Sequence, residues 1–367
     1  MVWKSVRVAL PGTGGRSWVL VDEAFVMHPE CRAFVVWMLA RSRSTETVRA
    51  YVPRVGRYLN WCESTGAAWR EVRLNDLARF KFSLEQASTR SGRAPTGKTV
   101  NAVLIAVATF LRFCGSHRLV DEALVERLSE RRFLRHTLPS YNRGENGEFS
   151  VVRASVLRAP EVKRPPATLT DDQAGALLSA ASSARDRFLL AVLLEAGLRI
   201  GEALGLRRED LHLLPSSVAL GCQVQGGHLH VRPRLDNVNG ARAKSGRPRT
   251  VPVSAGLAQI YRGYVAEREL DPAAAGVDYV FLTRHGATRA RPMTYSNAVQ
   301  MVAAAGRRAG FRARPHMLRH TAATRWRRGE AGLDVIQVLL GHASVASTAI
   351  YLHATDDELR AAVERVS

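Results

Sequence analysis

The sequence predicts a mainly α-helical protein of two domains, a helical bundle followed by a mostly α domain with a small antiparallel sheet. Three observations predict it. Apolar residues recur every three or four positions through 48–62 and 100–114, the period of helices with one buried face. Short β-rich runs near 228–232, 249–253 and 279–282 interrupt the helical pattern further on. Between the halves lies a basic stretch punctuated by proline, asparagine and glycine, which reads as connector. At 367 residues the chain is long enough for two cores.

Residues 1–28 form an N-terminal extension, short of hydrophobics at any sustained period, with Trp18-Val19-Leu20-Val21 as a possible strand. The bundle spans 29–117. One stripe is Val48, Tyr51, Val52, Val55, Tyr58, Leu59 and Cys62; a second runs from Val100 to Cys114, and further helices fall near 30–40 and 74–86. Pro53 interrupts the first stripe. An interior proline costs a helix about 3 kcal/mol, so that helix either kinks or begins later.

Residues 118–167 read as linker and insertion, with Arg131, Arg132 and Arg135 ahead of Lys163-Arg164-Pro165-Pro166. The second domain, 168–355, opens on Thr170 with Gln173 three residues on, a capping box. The apolar run Phe188–Leu194 predicts a central helix that Gly197 ends, so that Arg199 opens the next one. Strands are predicted over His228–Arg232, Arg249–Val253 and Tyr279–Leu282, and helices over 255–269, 295–309, 316–328 and 333–340. A tail helix, 356–367, shows an apolar Leu359, Ala362 and Val363 face.

Lys and Arg total 53 against 33 Asp and Glu, a formal net charge of +20. Such an excess favours a polyanionic partner, above all nucleic acid. A genome rich in arginine codons explains why only Lys4, Lys81, Lys98, Lys163 and Lys244 are lysines, but not the net excess. Cys31, Cys62, Cys114 and Cys222 are scattered with no Cys-x-x-Cys pair, so neither zinc nor a disulfide framework is expected. No apolar run approaches a membrane span, and the N-terminus lacks a signal-peptide core.

The stretch Pro315–Tyr351 concentrates the chemistry. His316-Met317-Leu318-Arg319-His320 places His316 and Arg319 three apart, on one face of a helix. Leu340-Gly341-His342 follows, and nine residues beyond His342 comes Tyr351. A zinc protease reading of His316 and His320 fails, because Met317 stands where the general-base Glu belongs.

This run resembles the second conserved box of the tyrosine site-specific recombinases, the phage integrase family. Gly197-Leu198-Arg199-Ile200-Gly201-Glu202-Ala203-Leu204 is similar to the family's first box. Ala243-Lys244-Ser245-Gly246-Arg247-Pro248-Arg249-Thr250-Val251-Pro252-Val253 is similar to its lysine-bearing β-hairpin, and Asn237–Lys244 resembles the transposon-encoded transposase-A branch. The resemblance implies a two-domain C-clamp around double-stranded DNA, with 29–117 as the core DNA-binding domain; residues 1–28 are too few for the arm-binding domain that some phage integrases carry, so none is expected there. It implies a recombinase that cuts and rejoins DNA through a 3′-phosphotyrosine. Tyr351 would be the nucleophile; Arg199, Arg319, His316 and His342 would act on the phosphate, with Lys244 as general acid and Glu202 in support. His320 reads as structural.

Arg242, Arg247, Lys163 and Arg164 are the expected phosphate contacts. No acidic cluster for paired magnesium ions appears, so no cofactor and no metal are expected. The resemblance also implies a homotetramer on paired sites, possible accessory directionality proteins or partner recombinases, no membrane association, and a place on the bacterial nucleoid. A type IB topoisomerase and a regulator without catalysis are the alternatives. The short tail after Tyr351 favours the recombinase over the first, and the complete set of six residues disfavours the second.

Overall fold

A computed structural model of the chain describes residues 2–9, 16–88, 92–133, 151–162, 165–243 and 247–341. The chain divides into two compact units, Met1–Lys163 and Arg164–Ser367.

The first unit opens with an antiparallel hairpin of β1 (Lys4–Ala9) and β2 (Arg16–Val21), in register from Lys4 opposite Val21 to Ala9 opposite Arg16. Four longer helices follow: α1 (Pro29–Ala40), α2 (Thr45–Thr65), α3 (Leu74–Gln86) and α4 (Gly97–Ser116). Ser44 caps α2, its side chain accepting from the Thr47 N–H at 3.2 Å, and Gly66 closes it in the left-handed region. The helix therefore begins no later than its stripe indicates and runs through Pro53. The proline costs it the hydrogen bond to the Arg49 carbonyl, a loss offset by burial of Val48, Val52, Val55, Tyr58 and Leu59. Each such side chain contributes about 1.5–3 kcal/mol.

Phe34 meets Phe110 edge-on at 5.4 Å, and Tyr58 meets Phe80 likewise at 5.3 Å, so α1, α2, α3 and α4 share one core. Leu20 of β2 joins it, so the hairpin is packed onto the bundle. By length and composition α4 is apolar enough to cross a membrane, contrary to the sequence expectation; most of it is buried as the bundle's core helix. A short α5 (Glu122–Arg127) leads into β3 (Ser129–Phe133), which pairs antiparallel with β4 (Val151–Ser155). Buried Asn101 of α4 ties down the chain after β4, accepting from the Ala159 N–H at 2.7 Å and donating to the Ala159 carbonyl at 2.9 Å.

The second unit is built on α7 (Ala184–Glu195), buried along nearly its whole length. α6 (Asp171–Ser179) precedes it, starting from the Thr170–Gln173 capping box with both reciprocal bonds formed. The short α8 (Ile200–Leu204) follows, then β5 (Leu211–His212), β6 (His228–Val231) and β7 (Arg249–Pro252) in a three-stranded antiparallel sheet of order β5-β6-β7. α9 (Ala255–Glu269), α10 (Tyr295–Arg308), α11 (Pro315–Arg328) and α12 (Leu333–Leu340) complete the described unit, with α9 and α11 packed on α7.

The strand expected over Tyr279–Leu282 is absent: only isolated bridges, Arg207 to Tyr279 and Leu282 to Pro292, form there. Side chains satisfy the buried carbonyls instead. Tyr264 Oη donates to Val280 at 2.7 Å, Arg268 to Tyr279 at 2.6 Å, and Arg185 to Leu282 at 2.8 Å.

Candidate active site

Gly197 and Arg199 show why the first box reads as it does. Gly197 turns the chain out of α7 at φ 59°, and a Cβ there would lie 2.7 Å from the Trp326 ring on α11. Arg199 becomes the N-cap of α8. Its backbone N–H donates to Glu202 Oε2 at 2.9 Å and its Nη1 to Glu202 Oε1 at 2.9 Å.

Glu202 is the centre of the arrangement. Its side chain is inaccessible to solvent, and three guanidiniums converge on it. Besides Arg199, Arg249 donates from Nη2 to Oε2 at 2.8 Å and from Nη1 to Oε1 at 3.2 Å, while Arg319 Nη1 stands 3.6 Å from Oε2. Burial pushes the Glu202 carboxyl up. The hydrogen bonds and charge of Arg249, the Arg199 N–H and the charge of Arg319 together outweigh it, holding the carboxyl below the usual range.

The same arginines cap the end of α12, whose last carbonyls have no helical partner. Arg249 Nε donates to the Leu339 carbonyl at 2.8 Å, Arg319 Nη2 to the Leu340 carbonyl at 2.7 Å, and Arg199 Nη1 to that same oxygen at 3.4 Å. Arg319 also donates to the Gly197 carbonyl at 2.8 Å. Gly341 then leaves α12 at φ 61°, where a Cβ would lie 2.8 Å from Arg249 Nη1. Two boxes far apart in sequence are thus joined through one carboxylate and one helix end.

The structure brings Arg199, Glu202 and Arg319 together. Arg319 is almost wholly buried, whereas the Arg199 side chain keeps 22% of its exposure. His316 sits in the first turn of α11, exposed, with its ring 5.0 Å from that of His320. Arg242 and Arg247 are exposed on either side of the segment that carries Lys244. Lys244, His342, Tyr351, Lys163, Arg164 and the tail helix lie outside the described residues.

Arg249 is the residue that the sequence reading missed. It stood in the quoted hairpin as one basic residue among several, yet its side chain is 6% exposed and makes two bonds to Glu202. The available signal was its place as first residue of a strand after Lys244.

His320 has a consequence for stability. Burial, then the neighbouring His316 and Arg319 charges, lower it from 6.5 to about 4. The unfolded chain therefore binds the proton more readily, and the stability contributed by neutral His320 is full above pH 6.5 and lost as pH falls through about 4. The urea midpoint is expected to drop between pH 7.5 and pH 5, and His320→Gln to reduce that drop. An unchanged pH dependence in the variant would show that His320 does not titrate this way.

The phage integrase family matches residues 167–358, and the SAM-like N-terminal domain of phage integrases matches residues 36–116. Transposase A from transposon Tn554 of Staphylococcus aureus is 27% identical over 357 residues, 94% of this chain and 92% of that protein. Tyrosine recombinase XerD of Mycobacterium tuberculosis is 29% identical over 337 residues, 88% of this chain and 91% of that one. Among solved structures, the Tn1549 transposon integrase in complex with transposon right-end DNA shares the fold. Its TM-score is 0.63 at 18% identity, over 92% of this chain and 99% of that chain. With Arg199 of the first box and Arg319 of the second beside Glu202, and with a family match over more than half its length, the chain belongs to the phage integrase family, the tyrosine recombinases.

Proposed function

We propose that the chain is a site-specific DNA recombinase of the integrase or transposase type with Tyr351 as its nucleophile. The observation that carries this reading is the convergence of Arg199 and Arg319 on Glu202 and on the Leu340 carbonyl, directly ahead of Gly341-His342. Two permanently charged, planar donors held this way suit the non-bridging oxygens of one phosphodiester.

In this reading the Tyr351 oxygen attacks phosphorus as His316 takes its proton, and the bond from phosphorus to the 5′-oxygen breaks. Lys244 supplies the proton that the departing 5′-hydroxyl needs, and His342 donates to a phosphate oxygen. The 3′-phosphotyrosine keeps the energy of the broken bond, so a 5′-hydroxyl from a second duplex reverses the step without ATP. Lys163, Arg164, Arg242 and Arg247 bind flanking phosphates, in keeping with the net charge of +20. A protein with this task sits on the bacterial nucleoid.

A nicked substrate, which loses its 5′ fragment on cleavage, is expected to trap a 3′-linked adduct. With Lys244→Ala the rate should fall by about 10²- to 10⁴-fold on ordinary DNA. It should recover on a bridging 5′-phosphorothiolate, because sulfur leaves without a proton. Equal defects on both substrates would leave Lys244 as a phosphate contact only, and absence of any adduct would sink the reading.

Assembly is proposed to be tetrameric on paired sites, through the tail helix packing on a neighbouring copy. Deleting the residues after Ala354 should then preserve single-site gel shifts and remove the paired complex. An undiminished paired complex would retire the trans-packing tail.

A further inference from the structure

The sheet carries a second cluster, on the face turned away from the core. In the β5–β6 register Leu211 pairs with Leu229 and His212 with His228. Leu229 and Val231 are buried in the hydrophobic core, so alternation places His212, His228 and His230 together on the other face. Their ring centroids are 4.6–4.9 Å apart. The connection from β5 to β6 brings Cys222 onto them, its Sγ 3.4 Å from His228 Nε2 and 3.5 Å from His230 Nε2. One ligand atom from each of the four residues lies within 4.8 Å of all the others.

The outer ring atoms fix two of the three tautomers. His228 Nδ1 lies 2.7 Å from the Gly226 carbonyl and must donate to it, so its Nε2 presents a lone pair to Cys222. His212 Nε2 donates to the Glu209 carbonyl at 3.2 Å, which makes Nδ1 the lone-pair atom; that atom is buried with no hydrogen-bond partner, on a residue 7% exposed. His230 Nδ1 lies 3.3 Å from Thr250 Oγ1, a hydroxyl that serves either tautomer, and its Nε2 faces Cys222. The two fixed lone pairs, on His228 Nε2 and His212 Nδ1, have a single thiol proton between them. That proton satisfies one of them, and a buried acceptor left over costs about 1–3 kcal/mol. Charging the imidazoles instead would set cations side by side. One divalent cation satisfies all four groups at once.

We propose that His212, Cys222, His228 and His230 bind one zinc ion, which fastens the β5–β6 connection to the sheet. A thiolate with three imidazoles suits this metal, and outer hydrogen bonds that orient each ring are what a metal-bound histidine requires. Bond lengths of about 2.3 Å to sulfur and 2.0–2.1 Å to nitrogen make the edges of a tetrahedral site about 3.4–3.6 Å. The distances from sulfur to His228 and His230 already fit, and the wider pairs, within 4.8 Å, would close on the ion. The four protein ligands close the coordination sphere, so the ion serves structure, not the phosphoryl chemistry. On binding, the Cys222 thiol gives its proton to solvent and the imidazoles coordinate as neutral rings. The fastening reaches the arginine cluster: His230 pairs with Thr250, the neighbour of Arg249, which grips Glu202. No metal is expected from cysteine pairs in the sequence; here one cysteine and three histidines would replace them.

Full-length protein free of any histidine tag is expected to carry one zinc per chain by elemental analysis. Cobalt(II) added to metal-free protein should give the intense visible bands of a four-coordinate site and a sulfur-to-cobalt charge-transfer band. Cys222→Ser should lose that band, and Cys222→Ser with His230→Ala should lose zinc and at least about tenfold in affinity. Zinc should raise the melting temperature of the wild type and not of the double variant. Zinc bound equally by both proteins would overturn the proposal. So would a folded wild type that gives no four-coordinate cobalt spectrum, a result that does not depend on the variants folding.

Discussion

Tyr351→Phe is expected to bind DNA with wild-type affinity and to form no covalent adduct at all. Phenylalanine keeps the ring and lacks only the oxygen that would bond to phosphorus, while the basic surface that binds DNA is untouched. The readout is a denaturing gel of the nicked substrate after incubation with each protein. The wild type should shift a labelled strand into a protein-linked band resistant to boiling, and the variant should leave all label free. A persistent adduct in the variant would move the nucleophile to another tyrosine; loss of DNA binding would show that Tyr351 serves the fold.

Glu202→Ala should have the second largest effect, and on stability as well as on cleavage. It leaves Arg199, Arg249 and Arg319 facing one another without a counter-charge, two of them with side chains 6% and 2% exposed. Breaking a buried ion pair from one side typically costs about 3–5 kcal/mol. For a unit of this size that lowers the melting temperature by about 6–20 °C. Glu202→Gln keeps the shape and one acceptor oxygen and should fall between. Because the carboxyl is held below its usual range, its contribution is complete above about pH 4.3 and lost as pH falls through the lower folded value. A melting temperature unchanged in Glu202→Ala would mean that the helix-end carbonyls alone hold the arginines.

The helices were legible because a buried stripe is a local signal. Val48 to Cys62 and Val100 to Cys114 announce α2 and α4, and Thr170 with Gln173 announces the start of α6. The strands β3 and β4 were not, since Ser129–Phe133 and Val151–Ser155 are ordered by each other across a long separation. Tyr279–Leu282 misled for a different reason. An apolar run reports burial, and burial does not specify who satisfies the backbone; here Tyr264, Arg268 and Arg185 do it in place of a neighbouring strand. In the site, Arg199, Glu202 and Arg319 were readable from their boxes. Arg249 was not, because what distinguishes it from Arg247 is the direction of its side chain from β7.

The Leu340 carbonyl accepts from Arg319 and from Arg199, the two groups best suited to a phosphate. An acceptor shared with a ligand makes a competition, and a competition is a thermodynamic linkage. Any anion that draws either guanidinium toward itself weakens the hold on the end of α12. By reciprocity, whatever pins that end lowers the affinity for the anion by the same factor. The end of α12 is thus held by the same two donors that the proposed function assigns to the phosphate.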